Sequence, residues 1–170
     1  RFCLPQRMGG EEPGSGDAVP AGEGKKGALL TPEECRKLMT AAREVYGGEC
    51  LPAAVLMLYA GVRPQEVRRL QFRHIRLEEK AALIPARHSK TFSYTRKWRL
   101  VRARAGWNNS RPWVQDVLRH TFASYHALEF RDYAELQWEM GHQNAHLLKT
   151  RYLNMDEIRR QDARAFWLAA

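Results

Sequence analysis

The chain lacks any apolar run long enough to cross a bilayer. The longest, CLPAAVLMLYAGV from Cys50 to Val62, falls well short of the roughly 20 residues that a spanning helix needs. No signal-peptide pattern opens the sequence, so the expectation is a soluble, cytoplasmic protein without a membrane partner. Cysteines are few: Cys3, Cys35 and Cys50 have neither an even count nor metal-ligand spacing, which argues for reduced thiols and against a disulfide framework. Acidic residues are scarce in one region. From Arg63 to Arg119, fifteen Lys/Arg stand against four Asp/Glu, a local charge of +11, whereas the remainder sums to −2 and the whole chain to +9. A basic belt of this kind is the electrostatic footprint of a polyphosphate partner, because each neutralised phosphate releases counterions. The plainer reading is a solvated basic face.

What the chain does contain is enough for one domain with a core, or one domain plus a tail: 170 residues, 44% of them hydrophobic. It opens on Arg1 and is read as a piece of something longer. Residues 1 to 28 are rich in Gly, Pro and acids without a period, the composition of a linker or tail; residues 29 to 170 form the expected domain. TPEECRKLMTAARE sets Thr31 as N-cap, Pro32 at the first helical position and Glu34 three residues beyond the cap, a capping box. A second helix is expected over Cys50 to Tyr59, apolar nearly all round and so central to the core, with Ala60-Gly61 ending it. Pro64 opens a short helix to about Leu70 with Arg63 at its cap.

Three short strands are then expected, FRHIRLE (72 to 78), AALIPA (81 to 86) and TRKWRLV (95 to 101). Helical period returns from about Trp113, with breaks near Arg131-Asp132 and Gly141, and an amphipathic segment runs from Asp156 to the end. The fold class is therefore mainly α with a small three-stranded antiparallel β-sheet.

Several strings could carry chemistry. An arginine at the mouth of a helix, as Arg63 is in YAGVRPQEVRRL, could present a bidentate fork to a phosphate beside the positive end of the helix; equally, it could pair with Glu66 or cap a neighbouring carbonyl. VLRHTFASYH, residues 117 to 126, starts an apolar-faced helix with Arg119 and His120 side by side. In EMGHQNAHLLKTRYLNM, Gly141 ends a helix, His142 follows at once and Tyr152 comes ten residues later. Taken singly, Tyr152 reads as a core or surface residue.

Taken in order, AGVRPQEV (60 to 67), the hairpin lysine of ARHSKT (86 to 91), VLRHTFAS (117 to 124), MGHQN (140 to 144) and TRYLNM (150 to 155) resemble the catalytic domain of the tyrosine recombinases, the phage-integrase family. The resemblance runs from about Leu30 to the C-terminus. It implies a mostly helical catalytic domain with a three-stranded sheet, acting on double-stranded DNA without metal or nucleotide cofactor, in a bacterium or phage. By motif, Arg63 and Arg119 would grip the non-bridging oxygens of the scissile phosphate and His142 would add a hydrogen bond. Tyr152 would attack phosphorus to give a 3′-phosphotyrosyl link, and Lys90 would protonate the leaving 5′-oxygen. Prepositioned cations meet the charge that builds on the phosphorane, and the covalent link stores the bond energy for religation. His120 would brace the site through a supporting hydrogen bond, while His126 reads as core or surface. Arg87, Arg96 and Lys97, in the basic belt, are candidates for contact with the DNA backbone.

The sequence departs from the family in two places. Asp116 stands where the family places a histidine, three residues before its second arginine; a carboxylate there could accept the phenol proton, yet it repels a phosphate unless paired or protonated. Only about seventeen residues separate the third expected strand from Arg119, shorter than the family's usual insert, and residues 1 to 28 do not supply the family's DNA-clamping N-terminal domain. The alternative reading is thus a catalytically weakened or inactive DNA-binding relic of the same fold. A metal hydrolase built on His142 and His146 is a further rival, but Gln143 stands where the general-base Glu would be required, and no metal site is expected. In the tail, Ile158, Ala165, Phe166 and Trp167 form an apolar stripe that either packs on its own domain or, as in the family, docks on a neighbouring protomer to build a homo-oligomeric synaptic tetramer on DNA.

Overall fold

A computed structural model describes residues 28–79, 81–85, 93–142, 144, 146, 148–156 and 158–169. The expected tail, apart from Ala28, and the expected hairpin carrying Arg87 and Lys90 lie outside the described residues.

The order of elements is α1 (Pro32–Glu44), α2 (Leu51–Tyr59), α3 (Pro64–Val67), β1 (Ile75–Arg76), β2 (Ala81–Ala82), α4 (Thr95–Arg104), α5 (Val117–Phe130), α6 (Tyr133–Glu139), a single π-helical turn (Leu148–Tyr152) and α7 (Arg160–Leu168). Helix α1 starts as its sequence dictates. The Thr31 side chain accepts from the Glu34 N–H at 3.2 Å while the Glu34 carboxylate accepts from the Thr31 N–H at 2.8 Å, satisfying two of the orphan donors at a helix start. Just before it, Leu30 is tied at both backbone groups to α5, its N–H donating to Thr121 Oγ1 and its carbonyl accepting from Tyr125 Oη, both at 3.0 Å.

The core is built around α5, whose side chains from Val117 to Ala127 are buried with the exception of His120. Helix α2 packs on it, as its apolar composition requires, and Gly61 (φ 60°) follows α2 in the left-handed region. Glycine is required there twice over: a Cβ would stand 2.5 Å from the Phe122 ring, and L side chains rarely adopt this φ. Helix α7 packs on α5 and α1 and reaches Tyr59 at the end of α2. Phe166 is fully buried between Tyr59 (centroids 5.0 Å apart) and Tyr125 (4.6 Å, nearly parallel), and Trp167 packs edge-on to Phe122 and Phe130. The aromatic part of the C-terminal stripe is therefore spent on its own domain. It is not the exposed face that docking on a neighbouring protomer would call for.

The sheet differs from expectation. Two strands pair antiparallel, Ile75 opposite Ala82 and Arg76 opposite Ala81, and residues 72–74 form a 3₁₀ turn before the first. The third expected strand, 95 to 101, is instead the start of α4. Alternation in RKWRL suggested period two, but the residues that find the core are Tyr94, Trp98 and Val101, spaced four and three apart. Leu100, which a strand would have placed on the same face as Trp98, is 43% exposed. The long helix also begins later than expected, at Val117, because Asp116 takes a left-handed conformation (φ 56°) and interrupts the chain after Trp113. The breaks at Arg131 (φ 57°) and Gly141 (φ 60°) fall where the sequence placed them.

Candidate active site

Arg63 caps α3 with extended backbone (φ −67°, ψ 144°), and Pro64 takes the first helical position. The Glu66 carboxylate reaches back to accept from the Arg63 N–H at 3.0 Å and from its Nη1 at 3.1 Å. Pairing with Glu66 is thus realised, and the guanidinium still keeps a third of its side-chain surface in solvent.

Arg119, in the first turn of α5, is 2% exposed. Its Nη1 donates to the Gly61 carbonyl and its Nη2 to the Met140 carbonyl at 2.5 Å, with His142 Nε2 3.0 Å from Nη2. A single guanidinium thereby ties together the segment before Arg63, the segment carrying His142, and α5. The buried Nε has no hydrogen-bond partner among the described residues, so the group's donors are incompletely used. Burial, reinforced by repulsion from Arg63, lowers the Arg119 pKa to about 10, against the opposing effects of Tyr152 and Glu66; the group remains a cation at neutral pH. Two cations this close attract an anion, which would relieve their mutual repulsion.

His142 is braced on both sides by Gln137: the His142 N–H donates to the Gln137 carbonyl (3.0 Å) and Gln137 Nε2 donates to the His142 carbonyl (3.1 Å). The π turn, a form found often at functional sites, then delivers Tyr152. Ser124 Oγ donates to the Tyr152 carbonyl at 3.3 Å and accepts from the Asn154 N–H at 3.0 Å, pinning the turn to α5. The Tyr152 ring stacks on His120 (centroids 4.9 Å, 25°), meets His142 edge-on (4.7 Å) and lies 5.4 Å from the Arg119 guanidinium carbon.

Four of the five candidate catalytic residues, Arg63, Arg119, His142 and Tyr152, are therefore brought into one neighbourhood from α3, α5 and the segment after α6. The fifth, Lys90, lies outside the described residues, as does Arg87. The supporting residues are here too. His120 lies stacked against the Tyr152 ring with its buried Nδ1 unpaired among the described residues, and burial lowers its pKa against the opposing effects of the Tyr152 backbone and the Asp116 carboxylate. Asp116 accepts the His120 N–H at its own carbonyl (3.0 Å). Of the two α4 residues assigned to DNA, Arg96 is exposed, whereas Lys97 pairs with Glu49 and lies 5.4 Å from the Tyr46 ring centroid. His126 is a core residue, 3.3 Å from Glu139.

Sequence reasoning missed the two carbonyls that hold Arg119 and the role of Ser124. Backbone acceptors leave no residue-type signal, and a serine five residues after the arginine reads as an ordinary helix position. No group of three His, Cys, Asp or Glu side chains among the described residues is placed to hold a metal ion, and no helix among them is long and apolar enough to cross a membrane. Cys35 is buried, which raises its thiol to about 12 and leaves it unreactive.

The architecture is that of a tyrosine-recombinase catalytic domain. It is similar to the catalytic domain of bacteriophage HP1 integrase, with a TM-score of 0.57 and 17% identity over 72% of this chain and 85% of that one. It is also similar to XerA recombinase, with a TM-score of 0.56 and 17% identity over 85% of this chain; the match spans 65% of that protein. No family model and no curated protein matches the sequence itself.

Proposed function

We propose that the protein cleaves and rejoins DNA strands through a 3′-phosphotyrosyl intermediate on Tyr152, as the catalytic domain of a site-specific recombinase or integrase. The observation that carries this reading is that Arg119 and His142 both lie against one tyrosine, with the Arg63 cation acting on Arg119 from α3. Phosphoryl transfer needs little covalent chemistry from the protein beyond the nucleophile; it needs cations and donors fixed where charge develops. Arg119, locked by two carbonyls, offers a guanidinium whose orientation costs nothing at the moment of reaction. Arg63, on the more open side, would hold a second non-bridging oxygen. His142 Nε2 would supply a further hydrogen bond, His120 would fix the Tyr152 ring, and Ser124 its backbone. Lys90 is assigned the proton for the leaving 5′-oxygen.

For the phosphate to enter, Arg63 exchanges part of its contact with Glu66, and the Tyr152 ring moves away from Arg119 to face phosphorus. The free protein is thus read as a closed form that DNA opens. Any synaptic assembly uses surfaces other than Phe166, which is buried.

The test is incubation with supercoiled plasmid in EDTA, a detergent quench and analysis for relaxed DNA, with Tyr152→Phe alongside. Relaxation that disappears in the variant supports the reading. A wild type that binds DNA but neither nicks nor relaxes it favours the second reading, a binding relic, for which Asp116 in place of the family's histidine and the burial of Arg119 are the supporting observations.

A further inference from the structure

The positive charge of the central belt is not confined to the tyrosine site. Between the C-terminal half of α4 and the loop 107–113 lies an open concavity of about 770 Å³ whose walls include Arg99, Arg102, Trp107, Asn108, Ser110 and Trp113. No carboxylate lines it.

Arg99 and Arg102 sit three residues apart on one face of α4, and burial, reinforced by repulsion from Arg99, lowers the Arg102 pKa. Arg102 is held in place, its guanidinium carbon 5.3 Å from the Trp113 ring centroid, and its buried Nε has no partner among the described residues. The third arginine nearby is committed elsewhere: Arg111 pairs with Glu34 and stacks on Trp107. Asn108 turns the loop by accepting at Oδ1 from the N–H groups of Ser110 (2.9 Å) and Arg111 (3.1 Å), which leaves its amide N–H₂ to donate outward. Two uncompensated guanidiniums, one of them prepositioned on an indole, beside amide and hydroxyl donors are the groups that contact nucleic-acid phosphate and sugar. One residue, Trp113, links the concavity to the neighbourhood of Arg119. Trp113 also lines a narrow internal gap together with Pro64, Asp116 and Arg119.

We infer that this concavity is a second phosphate-binding site, which takes a DNA backbone phosphate other than the one cleaved and so orients the duplex on Tyr152. The inference rests on the reading of the protein as DNA-directed and deepens it. The site selects no sequence, because its donors address phosphate and sugar and not base edges.

The experiment is fluorescence anisotropy with a short labelled duplex over a range of salt concentrations, for the wild type, the double variant R99Q/R102Q, and R36Q/R43Q. The last removes two exposed arginines of α1 and so the same charge. R99Q/R102Q is expected to weaken binding about tenfold and to lower the log–log salt slope by about 1 to 2, while R36Q/R43Q leaves the slope near the wild-type value. Arg99→Gln alone retains the Arg102–Trp113 contact and gives an intermediate loss, which separates the effect from misfolding. An unchanged slope in R99Q/R102Q, or an equal effect in both double variants, overturns the site while leaving DNA binding intact. A wild type with no salt-dependent binding overturns the DNA reading itself.

Discussion

The Arg119 guanidinium lies 5.4 Å from the ring centroid of Tyr152 while its two Nη groups reach the carbonyls of Gly61 and Met140. The same group that faces the proposed nucleophile is also the tie between three chain segments. Arg119→Lys keeps the charge but cannot bridge both carbonyls, so one buried acceptor loses its partner. Strand cleavage should fall at least a hundredfold, roughly the effect of removing an oxyanion-type donor, and stability by about 2 kcal/mol. DNA affinity should change only severalfold. Covalent-complex formation, thermal melting and anisotropy measure the three; near wild-type cleavage would remove Arg119 from the chemistry.

His120 acts on Tyr152 and not on the phosphate. His120→Ala removes the ring stacked against Tyr152. The cleavage rate should drop about tenfold at unchanged DNA Kd, and His120→Phe, which keeps an aromatic ring against Tyr152, should recover part of it. A parallel loss of affinity would mean that His120 contacts DNA instead.

Glycine at position 61 is demanded by packing as well as backbone, whereas at 47 it is demanded by backbone alone. A Cβ on Gly47 (φ 62°) meets nothing within 4 Å, while one on Gly61 collides with Phe122 and displaces an Arg119 acceptor. Gly47→Ala should cost about 1 kcal/mol and Gly61→Ala about 3 kcal/mol or more, read from chemical denaturation. Equal costs would mean that the α2–α5 contact relaxes freely.

The buried pair His126–Glu139 is neutral between about pH 4 and pH 7, because burial lowers His126 to about 4 and raises Glu139 to about 7. Because the folded-state value of Glu139 lies above its ordinary 4.5, stability from this group is lost as pH rises between those values. Glu139→Gln still accepts from His126 and carries no charge. It should therefore melt higher than wild type at pH 8, by on the order of 2 kcal/mol, and match it near pH 4. A destabilised variant at pH 8 would show that the pair is ionic, with His126 protonated.

The helical frame was legible because its signals were local: the Thr31 capping box, the left-handed break at Gly61 and the apolar run of α2. Helix α4 was misread because Trp98 and Leu100 alternate with charges, and only the tertiary position of Tyr94 and Val101 reveals the helical spacing. At the site, residue types and their order marked Arg63, Arg119, His142 and Tyr152, since their chemistry is unusual where they occur. Invisible were the carbonyls of Gly61 and Met140 and the Ser124 hydroxyl, whose roles arise from position alone. The tail's aromatic residues were recognised as a stripe, but what they pack against was decided by rings of α2 and α5 more than 40 residues away.

The most direct measurement is to trap the protein on nicked or supercoiled DNA, digest it with protease and nuclease, and locate the nucleotide-bearing peptide by mass spectrometry. The account predicts a single adduct on Tyr152, joined to a 3′-phosphate and lost in Tyr152→Phe. An adduct on another residue, or DNA cleavage that persists in Tyr152→Phe, would contradict it.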